Sequence, residues 1–192
     1  SRDKTGLPVA IDASCSGLQI LAALAEDPKT AQLVNVLPSD KPQDAYNVVA
    51  EVAKPRIPSY LHKVWDRKCV KRTVMTIPYN AKPYSNRSYI RDALKEEDID
   101  IENEDLTVVV NAIREAMNQE FPGPMKVMKW IEDEVTKAIK RGKTELTWTT
   151  PSGFRVTQRL MKPDCKYIYL RLLGRCKIWA KLGDTDEVDL AH

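Results

Sequence analysis

The chain has 192 residues, 43% hydrophobic and 30% charged, with net charge +3. That length suits one ordinary domain, or one and a half, with a core of useful size. Mean hydropathy is −0.42, no apolar run approaches the ~20 residues of a membrane helix, and the start carries Arg2, Asp3 and Lys4 with no long apolar stretch after them. Membrane and secreted classes are therefore not expected, and no signal peptide is read here. Cys15, Cys69, Cys165 and Cys176 are scattered and the only histidines are His62 and His192. This is not the spacing of a structural zinc site, and it suits reduced, mostly buried thiols.

Leu7, Val9 and Ile11 alternate with Pro8 and Ala10, the pattern of a short strand ending at Asp12. Ser16-Gly17-Leu18-Gln19 has capping-box spacing ahead of an apolar run, predicting a helix over about 17–26 with Pro28 beyond it. Asp12 thus falls between a strand end and a helix start, where a carboxylate and the next carbonyl make natural oxygen ligands for Mg²⁺. A capping role for Asp12 is the plainer alternative.

Ser39-Asp40-Lys41-Pro42 predicts a second helix start, with apolar positions at Ala45, Val48, Val49 and Val52. Pro55 and Pro58 bend or end that helix, and a further helix is expected over 60–77, stopping near Ile77 because Pro78 cannot donate. At 100° per residue, Arg67, Lys71, Met75 and Tyr79 form one stripe. Two cations and then a phenol can hold a triphosphate at one end and a sugar or base at the other. A solvated basic face is the plainer alternative.

Residues 54–91 carry ten Lys/Arg against Asp66 alone, interleaved with Tyr60, Trp65, Tyr79, Tyr84 and Tyr89. Such interleaving suits a phosphate backbone with stacked bases. The acidic stretch 92–106 reads as an exposed loop or helix start. Helices are expected over 103–120 and 125–141, separated by Pro122-Gly123-Pro124 and stopped by Gly142. The period then changes: 145–149 and 154–158 flank Pro151-Ser152-Gly153 as a β-hairpin, and 166–182 reads as more strand, interrupted by Gly174 and followed by a turn-like acidic tail. The class is helix-rich α+β.

Taken in order, these clusters resemble motifs of the single-subunit DNA-directed RNA polymerases of phages and mitochondria. Asp12-Ala-Ser-Cys-Ser-Gly-Leu-Gln19, with Val34-Asn35 and Gln43-Asp44-Ala45-Tyr46, resembles motif A in its phage wording. Arg67-xxx-Lys71-Arg72-Thr73-Val74-Met75-Thr76 with Tyr79 resembles motif B. Trp148-Thr149-Thr150-Pro151-Ser152-Gly153-Phe154 and Asp189-Leu190-Ala191-His192 follow in family order.

The resemblance implies a partial right-hand fold: a palm segment over 1–53, fingers over 54–142, and a hairpin returning toward the palm over 143–192. It implies transfer of nucleotidyl groups from NTPs to an RNA 3′ end by a two-metal mechanism, with Mg²⁺ on Asp12 and the Ala13 carbonyl and with Asp12 and Lys71 catalytic. Arg67 and Lys71 would bind the triphosphate, and Tyr79, Gly17 and His192 would lie near the nucleotide. DNA template, RNA product, NTPs and the rest of a polymerase chain are the implied partners. The implied location is the cytoplasm of an infected bacterium, with the mitochondrial matrix as alternative.

Family A DNA polymerases share the Arg-xxx-Lys…Tyr pattern but place a glutamate where Gly17 stands, and glycine leaves room for a ribose. Ala13 replaces a usual glycine, Ile20 a usual histidine, and Pro78 and Asn80 flank Tyr79 where alanine and glycine are usual. Asn80 tolerates a left-handed turn. The His-Asp-Ser motif with the second metal aspartate does not occur in these 192 residues. The expectation is a polymerase fragment, inactive alone. A non-enzymatic nucleic-acid-binding protein using 54–91 is the competing class.

Overall fold

A computed structural model describes residues 6–8, 10, 12–159 and 161–188, with 161–165 and 179–188 described as backbone only. The chain divides into two compact units, 1–128 and 129–192.

In the first unit, helix α1 (Ser16–Leu24) leads to α2 (Pro28–Leu33), which Asp27 caps by accepting from the Thr30 amide. Asp27 also accepts from the Gly123 amide at 3.3 Å, and a Cβ on Gly123 would lie 2.6 Å from its Oδ2, so only glycine fits there. Helix α3 (Ala45–Ala53) occupies the middle and packs against α4 (Arg67–Thr76) and α6 (Asn103–Glu120). Helix α5 (Pro83–Lys95) lies beside both α4 and α6. Leu61, Val70, Val74, Ile90, Leu94, Leu106, Ile113, Met117 and Phe121 are fully buried. Each contributes roughly 1.5–3 kcal/mol of burial. Trp65 anchors the α3 side by donating Nε1–H to the Ala50 carbonyl at 2.9 Å.

Several boundaries differ from the sequence reading. Leu7, Pro8 and Ala10 form no strand, and Val9 and Ile11 lie outside the described residues; a strand needs a pairing backbone, and no strand occurs among the described residues of this unit. Ser16 is the first helical residue rather than the cap. Its hydroxyl meets Tyr79, and Gln19 donates to the Val34 carbonyl, so the capping box does not form. Helix α3 starts at Ala45 because Asp44 accepts from the Tyr46 and Asn47 amides. Ser39 instead donates to the Lys41 carbonyl.

The expected 60–77 helix is cut. A 3-10 turn (Ser59–Lys63) precedes it, Asp66 caps α4, and a second 3-10 turn covers Ile77–Tyr79. Helix α5 covers all of 83–95, where the sequence predicts no helix ahead of the acidic stretch.

Helix α7 (Pro122–Lys140) crosses the division between the units. Pro122 and Pro124 sit in its first turn, where missing amides cost nothing, rather than outside it. Gly142 follows with φ +83, the left-handed stop. In the second unit, β1 (Glu145–Thr149) pairs antiparallel with β2 (Arg155–Arg159), Trp148 opposite Val156. A second hairpin joins β3 (Met161–Leu170) to β4 (Gly174–Val188). The acidic tail is therefore strand as far as Val188, which pairs with Met161. The whole is helix-rich with two small antiparallel hairpins near the C-terminus.

Candidate functional site

A cleft of about 550 Å³ opens between the 12–17 segment, the 33–46 segment and α4. Asp12, Ala13, Gly17, Arg67, Lys71 and Tyr79 all line it. His192 lies outside the described residues. Six of the seven residues singled out from sequence thus share one cavity, although they come from stretches some sixty residues apart.

Helix α4 supplies the basic wall. Its inward face buries Cys69, Val70, Thr73 and Val74, which turns Arg67, Lys71 and Met75 to the cleft. Tyr79 continues the stripe from the 3-10 turn. The residue is 66% exposed and its hydroxyl lies 3.2 Å from Ser16 Oγ. Asn80 adopts φ +65, so the chain turns sharply just after the phenol.

Lys71 is exposed and makes no ion pair among the described residues. Arg67 is already engaged. Its Nε donates to Asp44 Oδ2 at 2.6 Å, and its guanidinium lies 5.0 Å from the centre of the Tyr46 ring. One edge of the guanidinium is thereby held, leaving the fork of terminal nitrogens for a second acceptor.

Asp44, which the sequence motif contains without a role of its own, both caps α3 and holds Arg67. Its position just ahead of an amphipathic run was the available signal. Tyr46 braces the opposite wall by donating its hydroxyl to the Ser14 carbonyl at 2.8 Å. Burial, and then the neighbouring Cys15, push that phenol well above its ordinary range. Burial likewise raises the Cys15 thiol, which stays protonated.

Gly17 serves packing as well as space. A Cβ there would lie 2.8 Å from Pro78 Cβ and 3.3 Å from Tyr79 Cε2. The room it leaves is occupied by the motif that carries the phenol.

Asp12 is exposed, and its Oδ1 accepts from the Ala13 amide at 2.8 Å. An exposed carboxylate beside a carbonyl suits a hard cation. Among the described residues, however, no cluster of three or more His, Cys, Asp or Glu could hold a metal. Asp12 is a lone carboxylate in this respect.

The basic stretch is less free than its composition suggests. Arg72 stacks 4.3 Å from Tyr89 and pairs with Asp92. Arg87 and Arg91 converge on Asn103, Arg56 bonds Gln119, and Trp65 is core. Much of the charge is spent holding the helices together. No helix among the described residues is long and apolar enough to cross a membrane.

A family model described as DNA-dependent RNA polymerase matches residues 3–182. The DNA-directed RNA polymerase of Enterobacteria phage T3 is 26% identical over 90% of the chain, and that of phage K11 28% identical over 97%. The human mitochondrial DNA-directed RNA polymerase is 35% identical over 79%. The chain spans 26%, 27% and 13% of the lengths of these three relatives.

Proposed function

The chain belongs to the DNA-dependent RNA polymerase family, and from that premise we propose that its cleft receives the incoming nucleoside triphosphate during template-directed RNA synthesis. The observation that carries this reading is the convergence of Asp12, Ala13, Gly17, Arg67, Lys71 and Tyr79 on one cavity. Lys71 and the free fork of Arg67 take the phosphates, Lys71 as a point charge and Arg67 as a bidentate donor. Tyr79 and Gly17 lie at the sugar end.

Asp12 and the Ala13 carbonyl would hold Mg²⁺. The ion supplies charge neutralisation at the phosphoryl centre. On this reading 1–53 belongs to the palm, 54–142 to the fingers and 143–192 is the β-hairpin segment that follows. DNA template, RNA product and the remaining polymerase chain are the partners, and the cytoplasm of a phage-infected bacterium is the setting.

Binding of Mg·ATP to the 192-residue chain, measured by titration calorimetry, tests the reading. Lys71→Ala removes a charge-assisted contact of roughly 1.5–3 kcal/mol, about tenfold or more in affinity. Duplex DNA binding should change little. Unchanged ATP affinity with weakened duplex binding would favour a nucleic-acid-binding protein that uses 54–91 for backbone contacts.

A further inference from the structure

We propose that Arg114 of α6 is a positioning residue for Tyr79, acting through the left-handed turn at Asn80; this rests on the nucleotide-site reading above. Tyr79 is held at both ends. At the hydroxyl end the partner is Ser16 Oγ at 3.2 Å. At the backbone end the chain reverses at Asn80, whose amide donates to the Ile77 carbonyl at 2.8 Å, and the next residue's carbonyl receives Arg114. Arg114 Nη1 donates to the Ala81 carbonyl at 3.1 Å and to Asn86 Oδ1 at 2.8 Å. One nitrogen with two hydrogens thereby ties the turn to the first part of α5.

Two features make this a device rather than an incidental contact. Asn86 is fully buried on a helix otherwise rich in exposed polar groups, and its Nδ2 finds no partner among the described residues. A buried carboxamide is costly, and its Oδ1 faces a group that can only donate, which fixes the orientation of the amide. Arg114 is itself half-buried, and desolvation lowers its pKa. Both groups exchange water for each other. Arg114 does not line the cleft; its bond to the Ala81 carbonyl is what links it to the turn that carries the phenol.

The test compares Arg114→Met, which keeps bulk and loses the donors, with Arg114→Lys, which reaches one acceptor. Each is made in the Tyr79 and the Tyr79→Leu backgrounds. Amide hydrogen exchange at residues 80–82 reads the turn, and Mg·ATP titration reads the site. Arg114→Met should speed exchange at 80–82 by about tenfold while the middle of α6 keeps its protection. It should weaken ATP by about fivefold beside Tyr79 and by nothing further beside Tyr79→Leu. Arg114→Lys should fall between, and it carries the comparison should Arg114→Met not fold.

Unchanged exchange at 80–82 overturns the inference, as does an equal loss of ATP affinity in both backgrounds, the mark of a packing role. If the unaltered chain binds no ATP, the nucleotide-site reading fails instead, and the exchange measurement alone decides the clamp.

Discussion

Gly17→Ala is the sharpest single perturbation of the cleft. The added methyl would sit 2.8 Å from Pro78 Cβ, about 0.7 Å inside the shortest comfortable carbon–carbon separation of ~3.5 Å. Pro78 cannot yield by rotating a side chain, because its ring is part of the backbone. Relief must come from α1 moving off the 3-10 turn, or from the turn and Tyr79 being pushed into the cleft. Overpacking of this kind costs about 1–3 kcal/mol, while replacing glycine by alanine within a helix returns about 1 kcal/mol. The net is a loss of zero to about 2 kcal/mol, or a fall of up to about 8 °C in melting temperature for a unit of this size. Circular dichroism melts give the first number. Mg·ATP titration gives the second, since a displaced Tyr79 also weakens the nucleotide. A variant that melts at or above the original temperature and binds ATP unchanged would refute the close approach of Gly17 to Pro78 and Tyr79.

Asp44→Ala should cost about 1–2 kcal/mol in urea unfolding, from the lost cap of α3 and a half-exposed ion pair. Asp44→Asn, an equally good cap, should recover most of it; equal losses would deny the capping role. Tyr60 donates to Asp105 Oδ2 at 2.7 Å, and burial together with that bond pushes the phenol up to about 12. Because the folded value exceeds the ordinary ~10, its stabilising contribution is present below pH ~10 and is lost as pH rises toward 12. Spectrophotometric titration at the tyrosinate band reads it, and Asp105→Ala should bring the value down. The 192-residue chain alone should not extend a primer with Mg²⁺ and NTPs. Extension abolished by Asp12→Asn would show that one carboxylate suffices.

Legibility from sequence follows how local each determinant is. Helix α6 was readable end to end because its apolar period and the prolines behind it are local signals. The first hairpin was readable for the same reason, with Gly153 at φ +84 in its turn. The basic stripe needed only the helical advance per residue. Helix α5 was missed because 83–95 is mostly polar, with Ile90 and Leu94 as its buried apolar residues and a buried Asn86 whose reason lies on α6. The long helix expected over 60–77 failed at Asp66, which accepts from the Lys68 and Cys69 amides and so restarts the chain. Arg67's engagement with Asp44, 23 residues away, and the contact of Gly17 with Pro78 depend on packing that no local pattern announces.

That restart at Asp66 also governs tolerance to length change. The azimuth of every α4 side chain is counted from its cap, so the directions of Arg67 and Lys71, and of Tyr79 in the turn that continues α4, do not depend on the phase of the 3-10 turn before it. Residues inserted or deleted between Pro58 and Asp66 leave the stripe aimed as it is, at the cost of local packing around Leu61 and Trp65. A single residue inserted between Arg67 and Tyr79 swings the phenol by about 100° relative to the guanidinium, and no side-chain rotamer can undo that. Drift in loop length can therefore accumulate on one side of this aspartate and not on the other.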